Sequence, residues 1–220
     1  MKTRVEFSGE SIKPRVVTAL MRIAVLGLYN SGSTAIAGML HRMGVNMGPP
    51  FWLNSDDDSP ENHYEALDLS HRLRKWWDEP FLVERASSWR RVRYLKRWIA
   101  RQERSGGLAT GAKHPLLSLC GRDLLAAWGE STRLVWCYRP LADSISGLER
   151  REWFKGREAD MQQRLWGALC ELEHSGINIT RIEWDQVKSD PNAAVTELAN
   201  ILGIRPSTEK LERAAHFIRG

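Results

Sequence analysis

A glycine- and hydroxyl-rich loop offers the clearest chemistry in this sequence. Gly27 is followed by four residues and then by Gly32, Ser33 and Thr34, and Ser31 adds a further hydroxyl. Glycine lets a backbone approach an anion closely, and Ser and Thr hydroxyls supply neutral hydrogen-bond donors. If a helix begins here, its unpaired N–H groups and its dipole also favour a bound anion. The spacing predicts a phosphate-binding loop, with a plain turn and helix cap as the alternative.

The loop differs from a nucleoside-triphosphate loop at one position. That motif reads G-x-x-x-x-G-K-[ST], and its lysine contacts the β- and γ-phosphates. Here Ser33 stands where the lysine is expected, and no apolar run ending in Asp offers a ligand for Mg²⁺. A kinase or a nucleoside triphosphatase is therefore disfavoured. A loop that binds phosphate without a metal suits the transfer of a group other than phosphoryl.

The hydropathy pattern places this loop between a buried strand and a helix. Residues 21–28 form a continuous apolar run, which is typical of a strand buried on both faces of a parallel sheet. Apolar residues then recur at helical spacing from Ile36 to Met43, and Gly44 ends the helix. The glycines thus lie where a strand ends and a helix begins.

Strands and helices alternate along the rest of the chain. Further strands are predicted at about 108–115, 132–140 and 177–184, and helices at about 59–77, 89–104, 116–128, 141–154, 157–175 and 190–204. This alternation predicts an α/β fold with a central parallel sheet that binds ligands at the carboxyl ends of its strands. We expect residues 1–20 to form an N-terminal arm and residues 21–220 to form a single domain.

Composition is that of an ordinary globular protein. The 220 residues are 42% hydrophobic and 27% charged, which excludes disordered and fibrous classes. No apolar run reaches the roughly 18–20 residues of a membrane span. Residues 1–17 lack the apolar stretch of a signal peptide. We expect a cytoplasmic protein that does not associate with membranes.

The net charge of +5 is concentrated in one segment. Basic residues cluster in residues 90–104, but Val92, Leu95, Trp98 and Ile99 form one apolar stripe at helical spacing there. A solvated basic helix is the favoured interpretation. A surface for an anionic ligand or acceptor is the alternative, and nucleic acid is not expected as a partner.

Three segments together resemble the sulfotransferase family, which uses 3′-phosphoadenosine-5′-phosphosulfate (PAPS) as its donor. They read GLYNSGSTAIAGMLHRMGVNMG, then GAKHPLLSLCGRDLLAAWGESTRLVWCYRPLADSISGLERR, then ITRIEWDQVKSDPNAAVTELANILGI. They lie in the family's order, cover most of residues 21–204, and are more specific jointly than singly. The resemblance implies a P-loop-like sulfotransferase fold, a three-layer sandwich around a central parallel sheet. It also implies PAPS as donor, PAP as product and no metal.

The resemblance assigns the nucleotide-binding residues by position. It places the 5′-phosphosulfate on Ser31, Gly32, Ser33 and Thr34. It places the 3′-phosphate on a second set, which consists of Arg139, Ser146 and the competing Ser144. An arginine fork suits this second set because it gives paired, charge-assisted hydrogen bonds to a phosphate.

Two positions depart from the family pattern. The family usually has Lys or Arg just before its Ser–Gly, where the charge stabilises the leaving group, and this chain has Asn30. Loss of such a charge costs about 2.7–4 kcal/mol by analogy with one oxyanion donor. Lys113 is the first candidate to supply the charge, with a structural lysine as the alternative. Arg139 also lies one residue out of the family's Arg-x-Pro register.

Sulfuryl transfer also needs in-line geometry and a base for the proton of the acceptor. Family members use His or Glu, and the segment SPENHYEALDL offers Glu61, His63 and Glu65. Glu65 best matches the acidic residue of bacterial-type members. Exposed helix positions are the alternative for all three.

An acceptor pocket walled by aromatic side chains is a further expectation. Its candidate residues are Trp52, Trp76 and Trp77, with burial in the core as the alternative.

We therefore expect a sulfotransferase that moves a sulfuryl group from PAPS to a hydroxyl or amine. Its partners would be the nucleotide donor and a small-molecule or glycan acceptor. Two alternatives stay open. Asn30 and the shifted Arg139 favour a PAP-binding protein of the same fold that has lost turnover. A lysine-free loop that uses Mg²⁺ and ATP for phosphoryl transfer is the other alternative.

Overall fold

A five-stranded, all-parallel sheet forms the centre of the computed structural model. The structure describes residues 20–52, 63–79 and 81–219. The strands lie in the order β2-β3-β1-β4-β5. Their bounds are Arg22–Gly27 for β1, Val45–Asn46 for β2, Ala109–Lys113 for β3, Thr132–Tyr138 for β4 and Ile179–Glu183 for β5. The central position of β1, with β3 and β4 as its neighbours, creates a crevice at the carboxyl ends of these strands, where ligands bind in open α/β sheets.

Alternate residues of the central strands enter two separate apolar cores. In β1, Ala24 and Leu26 pack into the core on one face, whereas Ile23 and Val25 pack into the core on the other. All four side chains are fully buried. A strand buried on both faces explains why residues 21–28 form a continuous apolar run rather than an alternating one.

Helices cover both faces of the sheet, which confirms the predicted three-layer α/β fold. The helices of the described residues are α1 Ser33–Arg42, α2 Leu67–Trp77, α3 Ser88–Gln102, α4 Gly121–Trp128, α5 Leu141–Glu149, α6 Glu158–His174, α7 Trp184–Ser189, α8 Pro191–Leu202 and α9 Thr208–Arg219. Buried residues of α1, α8 and α9 belong to one core, and those of α2, α3, α4 and α6 to the other. Among the described residues, no helix is both long and apolar enough to cross a membrane.

Two helix boundaries illustrate how local sequence decides the fold. The Asp190 side chain accepts a hydrogen bond from the Ala193 N–H at 3.0 Å, so it caps α8, and Pro191 occupies the first helical position. Gly203 ends the same helix in the left-handed region, with φ at 66°. The predicted capped helix that stops at Gly203 is confirmed.

Several boundaries differ from the sequence-based expectation. The helix expected over 59–77 begins only at Leu67, and residues 53–62, with the candidate Glu61, lie outside the described residues. The residues before Leu67 are not helical, since Ala66 forms an antiparallel bridge with Phe51 and Tyr64 has a left-handed backbone with φ at 52°. The short strand β2 and the helices α7 and α9 were not predicted.

Candidate functional site

The predicted anion loop lies at the carboxyl end of β1 and leads directly into α1. Gly32 has a φ of 88°, which is the left-handed region that favours glycine, and a Cβ at this position would overlap the Trp184 ring. Glycine is therefore required both for the turn and for the close approach of Trp184. No acidic residue occupies the first turn of α1, so its N–H groups and dipole present a positive end to the loop.

Buried side chains hold the loop from beneath. Gln162 accepts a hydrogen bond from the Tyr29 N–H at 3.1 Å and donates from Nε2 to the Tyr29 carbonyl at 2.7 Å. The Ser118 hydroxyl likewise accepts from the Gly27 N–H and donates to the Gly27 carbonyl, both at 3.1 Å. Both side chains are buried. Such paired hydrogen bonds fix the backbone on which an anion would rest.

Lys113 brings the loop and the candidate base together. It is the last residue of β3, and its register pairs it with Val25 of β1. Its ammonium donates to Thr34 Oγ1 at 3.1 Å, to the His63 carbonyl at 3.2 Å and to Glu65 Oε1 at 2.7 Å. Lys113 is 3% exposed and Glu65 is 5% exposed. Lys113 was the first candidate to supply the positive charge that Asn30 lacks, and its ammonium contacts the loop directly at Thr34.

The charges in this cluster determine the protonation of Glu65. Burial by itself raises the pKa of Glu65, but the Lys113 ammonium and the neighbouring His114 outweigh it and lower the pKa to about 2. Glu65 is therefore a carboxylate at neutral pH. Burial and the nearby Lys113 lower the pKa of the half-buried His63 below its ordinary value, so its imidazole is neutral there.

His114 completes the cluster as a neutral ring. Its Nδ1 accepts a hydrogen bond from the Leu116 N–H at 3.1 Å, so the proton of the neutral imidazole lies on Nε2. That nitrogen is 3.5 Å from Glu65 Oε2. Burial is the main cause that lowers the pKa of His114 to about 4. Pro115 follows directly, and His114 caps the short 3₁₀ helix Pro115–Cys120.

The loop and the Lys113 cluster line one cavity of about 910 Å³. Its walls include the residues from Tyr29 to Ala35, together with His63, Glu65 and Lys113. Pockets of roughly 300–1,000 Å³ are typical of small-molecule and cofactor sites. The structure thus brings the loop, the cation and two candidate bases into a single ligand-sized space.

Side chains that the sequence analysis missed form the outer part of the cavity. Arg74 lies over the Trp52 ring at 4.5 Å from its centroid, and Arg151 lies over the Trp153 ring at 4.9 Å. Five further residues line the cavity: Glu79, Phe154, Trp184, Phe217 and Ile218. They come from four separate segments of the chain. No local motif marks them, and only the aromatic character of Trp52 was a usable signal.

The other two tryptophans considered for an acceptor pocket lie elsewhere. Trp76 is 6% exposed and packs in the apolar core. Trp77 packs against the same core and donates from Nε1 to Cys120 Sγ at 3.4 Å. Neither lines the cavity, so the alternative of core packing holds for both.

The residues predicted for the 3′-phosphate lie beside the loop rather than in the cavity. Arg139 directly follows β4, and its Nη1 donates to the Asn30 carbonyl at 2.9 Å. Ser144 is completely buried on α5, whereas Ser146 on the same helix is exposed. Neither serine lines the cavity, and the Ser144 hydroxyl has no hydrogen-bond partner among the described residues.

Asn30 turns toward α5 from a left-handed backbone conformation with φ at 58°. Asn tolerates this region better than most residues. Its side-chain amide lies against Gly147, where an added Cβ would overlap Nδ2. A longer basic side chain at residue 30 could not take this path over α5.

An unsatisfied hydroxyl in the loop fits an anionic ligand. Ser31 Oγ is buried and has no hydrogen-bond partner among the described residues, although its carbonyl accepts a contact from Cys137 Sγ at 3.0 Å. Buried polar groups usually have partners, so an orphan hydroxyl just before a helix N-terminus suggests a ligand that accepts its hydrogen bond. The residues present are thus compatible with a phosphosulfate group.

Three solved structures resemble this arrangement of strands and helices. Sulfotransferase STF9 from Mycobacterium avium superposes with a TM-score of 0.63 at 14% identity, covering 91% of this chain and 68% of that one. The chain has the sulfotransferase fold. Sulfotransferase STF1 from Mycobacterium tuberculosis H37Rv shares this sulfotransferase fold with a TM-score of 0.52 at 15% identity, covering 90% and 71%. The sulfotransferase domain of the Synechococcus PCC 7002 olefin synthase gives 0.56 at 15%, covering 87% and 76%.

The sequence comparisons give no further support for the sulfotransferase fold. No family model matches the chain, and no curated protein matches it. The likeness therefore lies in the fold, which places the carboxyl end of β1 and the start of α1 at the cavity.

Proposed function

We propose that the protein is a sulfotransferase that moves a sulfuryl group from PAPS to a hydroxyl or amine. One observation carries the proposal. The buried Lys113 ammonium lies between the Thr34 hydroxyl of an anion-binding loop and the Glu65 carboxylate, at 3.1 and 2.7 Å. This contact supports a role for Lys113 as the cation for the leaving group and for Glu65 as the base for the acceptor.

The loop would hold the 5′-phosphosulfate end of PAPS. Ser31 has an unpartnered buried hydroxyl, and Gly32, Ser33 and Thr34 open α1 with N–H groups that lack helical partners. Lys113 would add a full positive charge at the Thr34 end of the loop. Its position offsets the uncharged Asn30 because it contacts the loop from the neighbouring strand β3.

Arg139 would bind the 3′-phosphate with Ser144 or Ser146. Among the described residues, one of its guanidinium donors is occupied by the Asn30 carbonyl. The planar fork keeps others for a phosphate. Because the same side chain holds the loop backbone, binding at one phosphate would steady the loop that holds the other.

Bound PAPS supplies an activated sulfuryl group with PAP as its leaving group. Glu65 or His63 takes the proton of the acceptor as the acceptor oxygen or nitrogen bonds to sulfur. The bond between sulfur and the 5′-phosphate oxygen breaks, and its electron pair stays on that oxygen, where Lys113 stabilises the negative charge. Trp52 and Trp153 would flank a small-molecule or glycan acceptor in the outer cavity.

Binding and transfer can be tested separately. Calorimetry with PAP measures the nucleotide site, and label from ³⁵S-PAPS incubated with a panel of hydroxyl and amine acceptors measures transfer. Thr34→Val should weaken PAP binding about tenfold, since it removes one hydroxyl. Thr196→Val is the matched control because Thr196 is exposed on α8. Absence of both PAP binding and PAPS consumption in the unmodified protein would reject the proposal.

A nucleotide-binding protein without turnover is the second candidate, and Asn30 favours it. Its side chain packs on Gly147 and brings no charge to the leaving group. PAP binding without transfer would support this candidate, and transfer by the unmodified protein would remove it. If only charge is missing, Asn30→Lys should restore transfer. Binding of Mg²⁺ and ATP that PAP does not displace would favour phosphoryl transfer instead.

A further inference from the structure

The Lys113 ammonium has no hydrogen to spare for an incoming anion. An ammonium carries three N–H donors. In Lys113 these meet Thr34 Oγ1, the His63 carbonyl and Glu65 Oε1 at 3.1, 3.2 and 2.7 Å. The side chain is almost completely buried, so water cannot readily replace a lost partner. An anion that bonds to this ammonium must displace one of the three acceptors or share it.

We propose that Glu65 and the anionic end of the nucleotide compete for Lys113, so that nucleotide binding releases Glu65 to accept the proton of the acceptor. The inference rests on the proposed function and adds the order in which nucleotide and acceptor bind. Without nucleotide, Lys113 holds Glu65 as an ion pair. With nucleotide bound, Lys113 serves the leaving group and Glu65 serves the acceptor.

Of the three acceptors bonded to Lys113, Glu65 is the one that a bound anion displaces, because Glu65 is itself negatively charged. The Thr34 hydroxyl and the His63 carbonyl are neutral, whereas Glu65 places a second anion beside the one that binds. In a buried site, two anions that share one cation repel each other strongly. The chain relieves the repulsion when the Glu65 carboxylate gives up Lys113 or takes a proton.

The other groups that face Glu65 cannot replace Lys113. His114 lies 3.5 Å from Glu65 Oε2 but is a neutral ring, and His63 is neutral as well. Tyr29 is a neutral phenol because burial and Glu79 raise its pKa well above the ordinary value. Arg74 is paired with Glu79 at 3.2 Å. Release from Lys113 therefore leaves Glu65 as a buried carboxylate, which is a much stronger base than the ion pair.

The exchange makes proton transfer to Glu65 depend on prior binding of the nucleotide. Before nucleotide binds, Glu65 is a weak base because Lys113 stabilises its charge. After exchange, a proton moves from the acceptor to a Glu65 oxygen, and the negative charge that leaves with the 5′-phosphate oxygen meets Lys113. Glu65 returns its proton to solvent when PAP departs and the ion pair re-forms. Nucleotide therefore binds before a productive acceptor.

The first test is the affinity of Glu65→Gln for PAPS, measured by calorimetry without acceptor. Gln keeps the size of the side chain and removes the competing charge, so PAPS should bind about tenfold or more tightly while transfer falls. Glu171→Gln is the control, since Glu171 is an exposed carboxylate of α6 that pairs with Arg122 and does not line the cavity. Its PAPS affinity should change less than threefold. Thermal unfolding confirms that both variants are folded.

The second test is proton uptake. Calorimetry in two buffers of different ionisation enthalpy, at pH 5–6.5, should show that the unmodified protein takes up more protons on binding PAPS than Glu65→Gln does. His63→Asn should retain this difference, which separates Glu65 from His63.

Equal or weaker PAPS binding by Glu65→Gln, or equal proton uptake, would overturn the exchange while leaving the proposed function intact. If neither protein binds PAPS, the proposed function fails and the exchange fails with it.

Discussion

Breaking the Lys113–Glu65 ion pair should destabilise the protein in a manner that depends on pH. The variant Lys113→Met keeps much of the side-chain volume and removes the charge. It leaves the Glu65 carboxylate buried, at 5% exposure, without its cation. A buried ion pair that loses one partner typically costs about 3–5 kcal/mol, because the remaining charge is uncompensated.

The pKa of Glu65 gives an independent magnitude. A folded-state pKa of about 2 against the ordinary 4.5 corresponds to about 3 kcal/mol. Because the folded-state pKa is depressed, this stabilisation is fully present above pH 4.5 and is lost as the pH falls toward 2. In Lys113→Met the sign reverses, since burial then raises the pKa of Glu65. The folded variant gains stability as the pH falls from neutral and Glu65 becomes protonated.

Urea unfolding followed by tryptophan fluorescence measures the effect at pH 7.5 and pH 5. We expect a loss of about 3–5 kcal/mol at pH 7.5 that shrinks at pH 5 by about 1 kcal/mol or more for each unit by which the pKa of Glu65 rises. Lys96→Met, at an exposed position of α3, is the control and should stay within about 0.5 kcal/mol at both pH values. An equal loss at both pH values would refute the assignment of the effect to the Glu65 charge.

Three other predictions concern the loop and its surroundings. Gly32→Ala should abolish PAP binding and destabilise the fold by about 1–3 kcal/mol, because φ is 88° and the new Cβ overlaps Trp184; unchanged PAP affinity by calorimetry would contradict this. Ser118→Ala should cost about 1–3 kcal/mol in urea unfolding, since it leaves the buried Gly27 N–H without its acceptor; a loss below 0.5 kcal/mol would argue against it. The pKa of His114, lowered to about 4, predicts stability that is complete above pH 6.5 and lost as the pH falls through 4. His114→Asn should flatten that part of the pH profile.

The loop could be predicted because its signals are local. A buried strand, a glycine turn and an amphipathic helix follow one another within residues 21–43, and each depends on residues close in sequence. The same holds for α8, whose boundaries follow from the Asp190 cap and Gly203. Patterns of this kind need no knowledge of distant contacts.

The sequence suggested Lys113, His63 and Glu65 as separate candidates but did not predict that they lie in one cluster. Lys113 and Glu65 are separated by 48 positions, and their meeting depends on β3 lying next to β1 and on the bridge between Phe51 and Ala66. The helix predicted over residues 59–77 included Glu65. In the structure residues 63–66 are not helical, and Glu65 contacts Lys113.

The outer cavity was beyond the reach of sequence patterns. Trp184 contacts Gly32 because it directly follows β5, which pairs with β4. Phe217 reaches the cavity because α9 packs on α1 at Gly38. Each contact joins segments that are remote along the chain. Aromatic residues are equally suited to a hydrophobic core, so residue type alone does not show whether a side chain lines the cavity or lies in the core.

The contribution of α9 to the cavity bears on how the protein should be produced. Phe217 and Ile218 line the cavity, and an affinity tag at the carboxyl end would be joined to the chain two residues after Ile218. The amino end of β1, at Arg22, lies at the opposite edge of the sheet from Gly27 and the loop. The binding and transfer assays should therefore use a tag placed before Met1, which adds no residues at the carboxyl end.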